Sequence, residues 1–171
     1  FPEGGGYYSY YQHIDTNGMA RTSVLTDYAT TQQFSDAPEY CNTAQEPFLA
    51  YVSTNACHPP LGELPPRNLV NTPEHLRGTP NYHKNFSATL EALDTELGNF
   101  LDGLNPERRE NTVFILMGDN GTDEQLFNSM INESGLDLGA TYQALVEDPQ
   151  LRFKHSVYEG ALRVPLLVWG K

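Results

Sequence analysis

Basic side chains are few. Lys and Arg number 10 against 22 Asp and Glu, a formal net charge of -12. A nucleic-acid footprint needs clustered Lys and Arg, and none occurs, which argues against that partner; an acidic surface still permits a local cationic pocket for an anion. Long apolar runs are also absent: none approaches the roughly 20 residues of a membrane-spanning helix. Cysteine is scarce. Cys41 and Cys57 stand without zinc-type spacing and without a CxxC pair, so one disulfide and two free thiols both fit. There are no internal repeats and no low-complexity tract. An initiating Met and a signal peptide are missing too, and the last residues follow an apolar run directly, so a fragment of a longer protein is expected. The 171 residues suffice for one domain with its own core.

The most informative stretch is 111–122. Five consecutive apolar residues, Val113 to Met117, predict a fully buried strand. The run stops at Gly118. Asp119 and Asn120 then place a carboxylate and an amide just past the strand's carboxyl end, where open α/β sheets put their ligands. A carboxylate beside an amide oxygen is a ligand pair for a hard cation. Asp-Asn-Gly is equally a turn sequence, favoured for backbone reasons, so from these residues alone a turn and a site both stand.

Residues 1–22, rich in Gly, Tyr and Asn, predict irregular structure with a short hairpin at Asn17-Gly18. The paired aromatics Tyr7, Tyr8 and Tyr10, Tyr11 offer surface for packing or for stacking on a sugar. Thr26 and Asp27 suit the cap of a helix running to about Phe34, with a loop over 39–45. Residues 47–55 predict a strand opened by Pro47 and closed by Asn55, with His58 just past its carboxyl end. Six prolines within 59–80 mark a long loop of the kind that carries or covers a site. The strongest helix runs from about Asn81 to Leu104. Phe86, Leu90, Leu93, Leu97, Phe100, Leu101 and Leu104 make its apolar stripe, and Glu91, Asp94, Glu96 and Asp102 its polar face. Strand, helix, strand in that order predicts a parallel pair with a right-handed crossover. Residues 121–152 predict an excursion with one helix near 140–147, and 164–169 a third buried strand with Pro165 near its start.

Three polar clusters thus flank three strands: His58, Asp119 with Asn120, and Lys154 with His155. A lone histidine is more often packed than functional, and a lone lysine is usually solvated. Together they suggest charged-ester chemistry. A divalent cation neutralises such an ester, while Lys and His bind its oxygens or protonate the leaving group.

At these residues the chain resembles the type I sulfatases of the alkaline phosphatase superfamily. Residues 47–61 resemble the family's PFFLYVAFNAPHTPL segment, 90–98 its VEALDDGVG helix, 111–122 its NTLVIFTSDNG strand end and 154–165 its KGTLYEGGIRVP segment. Each match is moderately specific, and all four come in the family's order. The resemblance implies an α/β fold, an α/β/α sandwich with a mainly parallel central sheet. Residues 1–171 would form a single partial catalytic domain carrying the carboxyl half of the active site. It implies a calcium-dependent sulfuric ester hydrolase in which Asp119 and Asn120 ligate one Ca2+. His58 would contact the sulfate or the leaving group, and Lys154 the sulfate oxygens. His155 stands where the family usually has glycine, and either adds a contact to the leaving group or is simply exposed. Glu159 and Arg163 read as structural, holding the turn before the last strand. The implied substrate is a sulfate ester, sulfated carbohydrates included, and the implied setting is secreted or periplasmic.

The departures all belong to the family's amino-terminal part: the Cys/Ser-x-Pro-x-Arg nucleophile motif, the paired early aspartates and the GKWHLG segment have no counterpart. A formylglycine nucleophile is therefore expected on a missing upstream part of the same enzyme, and the isolated chain is expected to be inactive. Cys57 opens a Cys-x-Pro sequence, but Leu61 stands where Arg is needed, so a plain buried thiol is expected. Two rivals remain. One is a phosphodiesterase or phosphonate hydrolase of the same superfamily, which needs more His and Asp ligands and a transition metal. The other is a non-catalytic sulfatase-like module that binds sulfated glycans through Lys154, His58 and the aromatic amino terminus.

Overall fold

Two residues explain the amino-terminal hairpin. Asn17 and Gly18 both take positive φ, 55° and 79°, the combination a type I′ turn requires to match the twist of its strands. Around it β1 (Tyr10–Thr16) and β2 (Met19–Leu25) pair antiparallel, Thr16 opposite Met19 and Tyr10 opposite Leu25. The Asp15 carboxylate accepts the Gly18 N–H at 2.9 Å and fixes the turn. The computed structural model describes residues 6–59, 61–73, 82–124, 126, 128–129, 153–154 and 156–171. The helix expected near 140–147 lies outside them, as does His155. Two compact units form: Phe1–Pro80 with Lys84–Arg108, and Asn81–His83 with Arg109–Lys171.

The first unit packs α1 (Ala29–Thr43) and most of α2 (Tyr82–Gly103) around a small aromatic core. Tyr7, Tyr28, Ala29, Leu69 and Ala92 make that core, with the rings of Tyr7 and Tyr28 stacked at 5.3 Å. α1 begins at Ala29, beyond the expected cap at Thr26 and Asp27, and it runs through the expected loop at 39–45. Pro38 lies inside it and removes one backbone donor. Packing outweighs that loss: Phe34 and Cys41, two turns apart, are both buried, and the Phe34 ring meets Phe100 at 6.1 Å.

α2 has the expected bounds, and its expected stripe is covered only in part: Phe100 and Leu104 are buried, and Phe86, Leu93, Leu97 and Leu101 are half-buried. Asn85, Ala88, Thr89, Ala92, Glu96 and Phe100 are buried, whereas Leu90 of the leucine stripe is exposed. Polar side chains suit this face because loop carbonyls and a hydroxyl meet it. Asn85 Nδ2 donates to the Leu61 carbonyl at 2.6 Å, Thr95 Oγ1 to the Leu69 carbonyl at 3.0 Å, and Thr31 Oγ1 to Glu96 at 2.5 Å. Glu96, expected in solvent, is thus a buried acceptor. Residues 47–55 form no strand, and Leu49 and Tyr51 are each 86% exposed. Apolar, aromatic composition makes a strand only where a neighbouring edge supplies the ladder, and among the described residues none does. The parallel pair expected across α2 is therefore not formed.

The boundary between the units falls within α3 (Pro106–Glu110). The second unit contains β3 (Val113–Met117), the short helix α4 (Glu159–Leu162) and β4 (Leu166–Gly170). β3 and β4 pair antiparallel, Val113 opposite Gly170 and Met117 opposite Leu166. Cross-strand Phe114 and Trp169 stack at 5.2 Å. Pro165 precedes β4, as expected. Both strands were expected to be buried, yet Ile115, Met117, Leu166 and Val168 are all exposed. Their near-continuous apolar sequence suits strands covered on both faces; a two-stranded ribbon brings no such layers. Among the described residues no helix is long and apolar enough to cross a membrane.

Candidate active site

His58 ends a tight turn of the first unit. Its N–H donates to the Asn55 carbonyl at 2.7 Å, and the Ala56 N–H donates to Thr54 Oγ1 at 2.9 Å. The imidazole is exposed, and its Nδ1 lies 2.7 Å from the Pro59 carbonyl. A carbonyl only accepts, so Nδ1 carries the hydrogen and Nε2 is the nitrogen left to exchange a proton. The Tyr7 hydroxyl reaches the same turn, 2.8 Å from the Asn55 carbonyl and 2.9 Å from that of His58.

Cys57, beside it, is half-buried. Both cysteines are free thiols, and burial pushes the Cys57 thiol up from about 9 to about 12. A neutral thiol is a poor attacking group. Because the folded-state value lies above that of the unfolded chain, the native state holds this proton longer. The stability this contributes is full below about pH 9 and is lost as pH rises toward 12. In a Cys41→Ser background, iodoacetamide labelling of Cys57 is expected to accelerate about tenfold per pH unit from pH 7, without levelling off below pH 11. A plateau near pH 8 would show an activated thiol instead.

A groove of about 520 Å³ between the hairpin and α1 holds none of the expected site residues. Several of its polar groups are paired with one another or with the hairpin: Gln12 and Gln32 both donate to Asp36, at 3.2 and 2.9 Å, and His13 bonds Thr22 at 2.8 Å. The Tyr10 hydroxyl is buried without a partner among the described residues.

The second unit is built around the end of β3. Three backbone bonds clamp residues 118–122 to the segment that leads into β4. The Gly118 N–H donates to Pro165, the Gly121 N–H to Ala161 and the Lys154 N–H to Thr122, at 3.1, 2.8 and 3.0 Å. Glycine is required at 121, where a Cβ would overlap the Gly160 carbonyl. The clamp brings Asp119, Asn120 and Lys154 into one locality. Asp119 is exposed and Asn120 half-buried. Asn120 Oδ1 is buried and has no hydrogen-bond partner among the described residues. A buried acceptor left unpaired is costly in water-free surroundings and calls for a partner. Beside a carboxylate, an orphaned amide oxygen fits a hard cation. The described residues hold no group of three or more His, Cys, Asp or Glu that could ligate a metal. The side chains of Glu159 and Arg163 are exposed, and the tie between the two residues is a backbone bond, Arg163 N–H to the Glu159 carbonyl at 2.7 Å.

A family model described as Sulfatase matches residues 1–171. The chain belongs to the sulfatase family. It is also 33% identical over 134 residues to arylsulfatase G of Rattus norvegicus, a match that covers 77% of this chain and 22% of that protein. The chain thus spans under a quarter of the length of the curated relative it matches. Membership carries the alkaline-phosphatase-like α/β fold, within which this sulfatase chain shows its two antiparallel ribbons. Asp119, Asn120 and Lys154 share the clamp of the second unit, and His58 belongs to the first. Reasoning from sequence picked out Tyr7 only as an aromatic for packing or stacking. No local signal ties it to a turn some fifty positions away, because that contact exists only once the core has formed.

Proposed function

We propose that this chain supplies the carboxyl half of a sulfatase active site, in an enzyme that hydrolyses a sulfate ester. The observation that carries the proposal is the buried, unpaired Asn120 Oδ1 next to the Asp119 carboxylate at the end of β3. Asp119 and Asn120 would hold one calcium ion, with further ligands from sequence outside this chain. When bound, calcium polarises the sulfate and offsets the charge that develops on its oxygens. Lys154 binds a sulfate oxygen as a point charge with three donors. With Nδ1–H kept on the Pro59 carbonyl, Nε2 of His58 is the nitrogen that would carry a proton to the leaving oxygen. The attacking group, a formylglycine in type I sulfatases, would lie outside these residues.

In the whole enzyme the domain is proposed to be an α/β/α sandwich with a mainly parallel sheet, of which residues 1–171 are a part. The substrate class extends to sulfated carbohydrates, and the proposed setting is secreted or periplasmic. The single Asp-Asn pair favours this reading over a phosphodiesterase, whose transition metals need more His and Asp ligands. The isolated chain is expected to show no turnover of an aryl sulfate above the buffer rate, because the attacking group is absent. Measurable turnover by the purified 171-residue chain would refute that division of the site.

A further inference from the structure

The bonds that hold His58 are mostly local. Its N–H bonds Asn55, its Nδ1 bonds Pro59, and Ala56 bonds Thr54. Such bonds move with the loop and cannot anchor it. Among the described residues, two side chains reach the turn from elsewhere by hydrogen bonds. One is the Gln33 amide, whose Oε1 accepts the Asn55 N–H at a long 3.4 Å. The other is the Tyr7 hydroxyl, whose single proton is shared between the first and last carbonyls of the turn at 2.8 and 2.9 Å.

Tyr7 is itself fastened. Its ring is 3% exposed and stacks on Tyr28. Its carbonyl accepts the Ala29 N–H at 2.8 Å, and its own N–H donates to the Glu63 carboxylate. A rigid donor thus bridges both ends of an exposed turn, which is how a supporting residue sets the geometry of a working one.

We propose that Tyr7 is a positioning residue for His58, cross-tying the Asn55–His58 turn so that Nε2 is presented in one place. The proposal rests on the reading of His58 as the contact to sulfate or leaving group. Tyr28 supplies the control. It is stacked in the same core, but its buried hydroxyl has no hydrogen-bond partner among the described residues and so makes no bond to the turn.

The test has two arms. In the 171-residue chain, 15N NMR of the His58 ring is expected to show one Nδ1–H tautomer in wild type and in Tyr28→Phe. Tyr7→Phe should give mixed tautomers or exchange broadening. In the full-length enzyme, Tyr7→Phe should lower kcat about tenfold with KM changed less than about twofold. Tyr28→Phe should leave kcat unchanged. In a His58→Gln background, adding Tyr7→Phe should change kcat by less than about twofold, since its effect acts through the imidazole. Tyr7→Phe with an unchanged ring spectrum overturns the proposal, and so does an equal loss of kcat with and without His58. Wild-type turnover in His58→Gln would instead refute the role given to His58, while the NMR arm still decides whether Tyr7 holds the turn.

Discussion

Asp119→Ala in the full-length sulfatase is expected to lower kcat/KM by about a thousandfold and to abolish the proposed calcium binding. The carboxylate is the charged half of the pair, and the affinity of an oxygen-ligand site for calcium is set largely by ligand charge. Asn120 would contribute one neutral oxygen to the proposed site, so Asn120→Ala should weaken calcium binding with a smaller loss of turnover. Asp119 is exposed, so its removal should change the stability of the chain by no more than about 0.5 kcal/mol. Asp119→Asn separates charge from size: it keeps the shape and should still lose most of the activity. Full turnover in Asp119→Asn would mean that the side chain is only a turn former.

Gly121→Ala is expected to destabilise the second unit by about 3 kcal/mol or more, because overfilling a packed position forces backbone to move. The methyl would overlap the Gly160 carbonyl and has no flexible side chain to push aside. To make room, the bond from Gly121 to Ala161 must open, and with it the clamp that keeps Asp119 and Lys154 in one locality. The chain has one tryptophan, Trp169 in β4, so its fluorescence during urea unfolding reports on this unit directly. At Gly62 an added Cβ meets nothing within 4 Å, and Gly62→Ala should shift the midpoint little. Equal midpoints for Gly121→Ala and Gly62→Ala would contradict the packing argument.

What sequence could foretell divides along the range of the interactions involved. The hairpin was readable because Asn17 and Gly18 carry their turn chemistry in their own backbones, and α2 because a 22-residue stripe needs no partner to be recognised. The direction of pairing was not readable. β3 and β4 are joined by no motif that says parallel or antiparallel, and 47–55 has strand composition but finds no edge to pair with among the described residues. Burial was misjudged for the same reason: apolar runs say that a strand can be covered, not that a layer is present to cover it. Glu96 shows the reverse case, a charged residue kept inside because Thr31 and Asn99 donate to it. At the site, Asp119, Asn120 and Lys154 were named from motifs, and the clamp that joins them consists of backbone bonds to which sequence is blind. The Tyr7 tie was invisible for a similar reason, since two carbonyls offer no residue type to look for.

The central claim is that Asp119 and Asn120 hold calcium for ester hydrolysis. Elemental analysis of the intact enzyme, wild type beside Asp119→Ala and Asn120→Ala, tests it most directly. The expected result is about one calcium per chain in wild type, lost in Asp119→Ala and weakened in Asn120→Ala. Bound zinc or manganese in its place, or a calcium content that neither substitution changes, would contradict it.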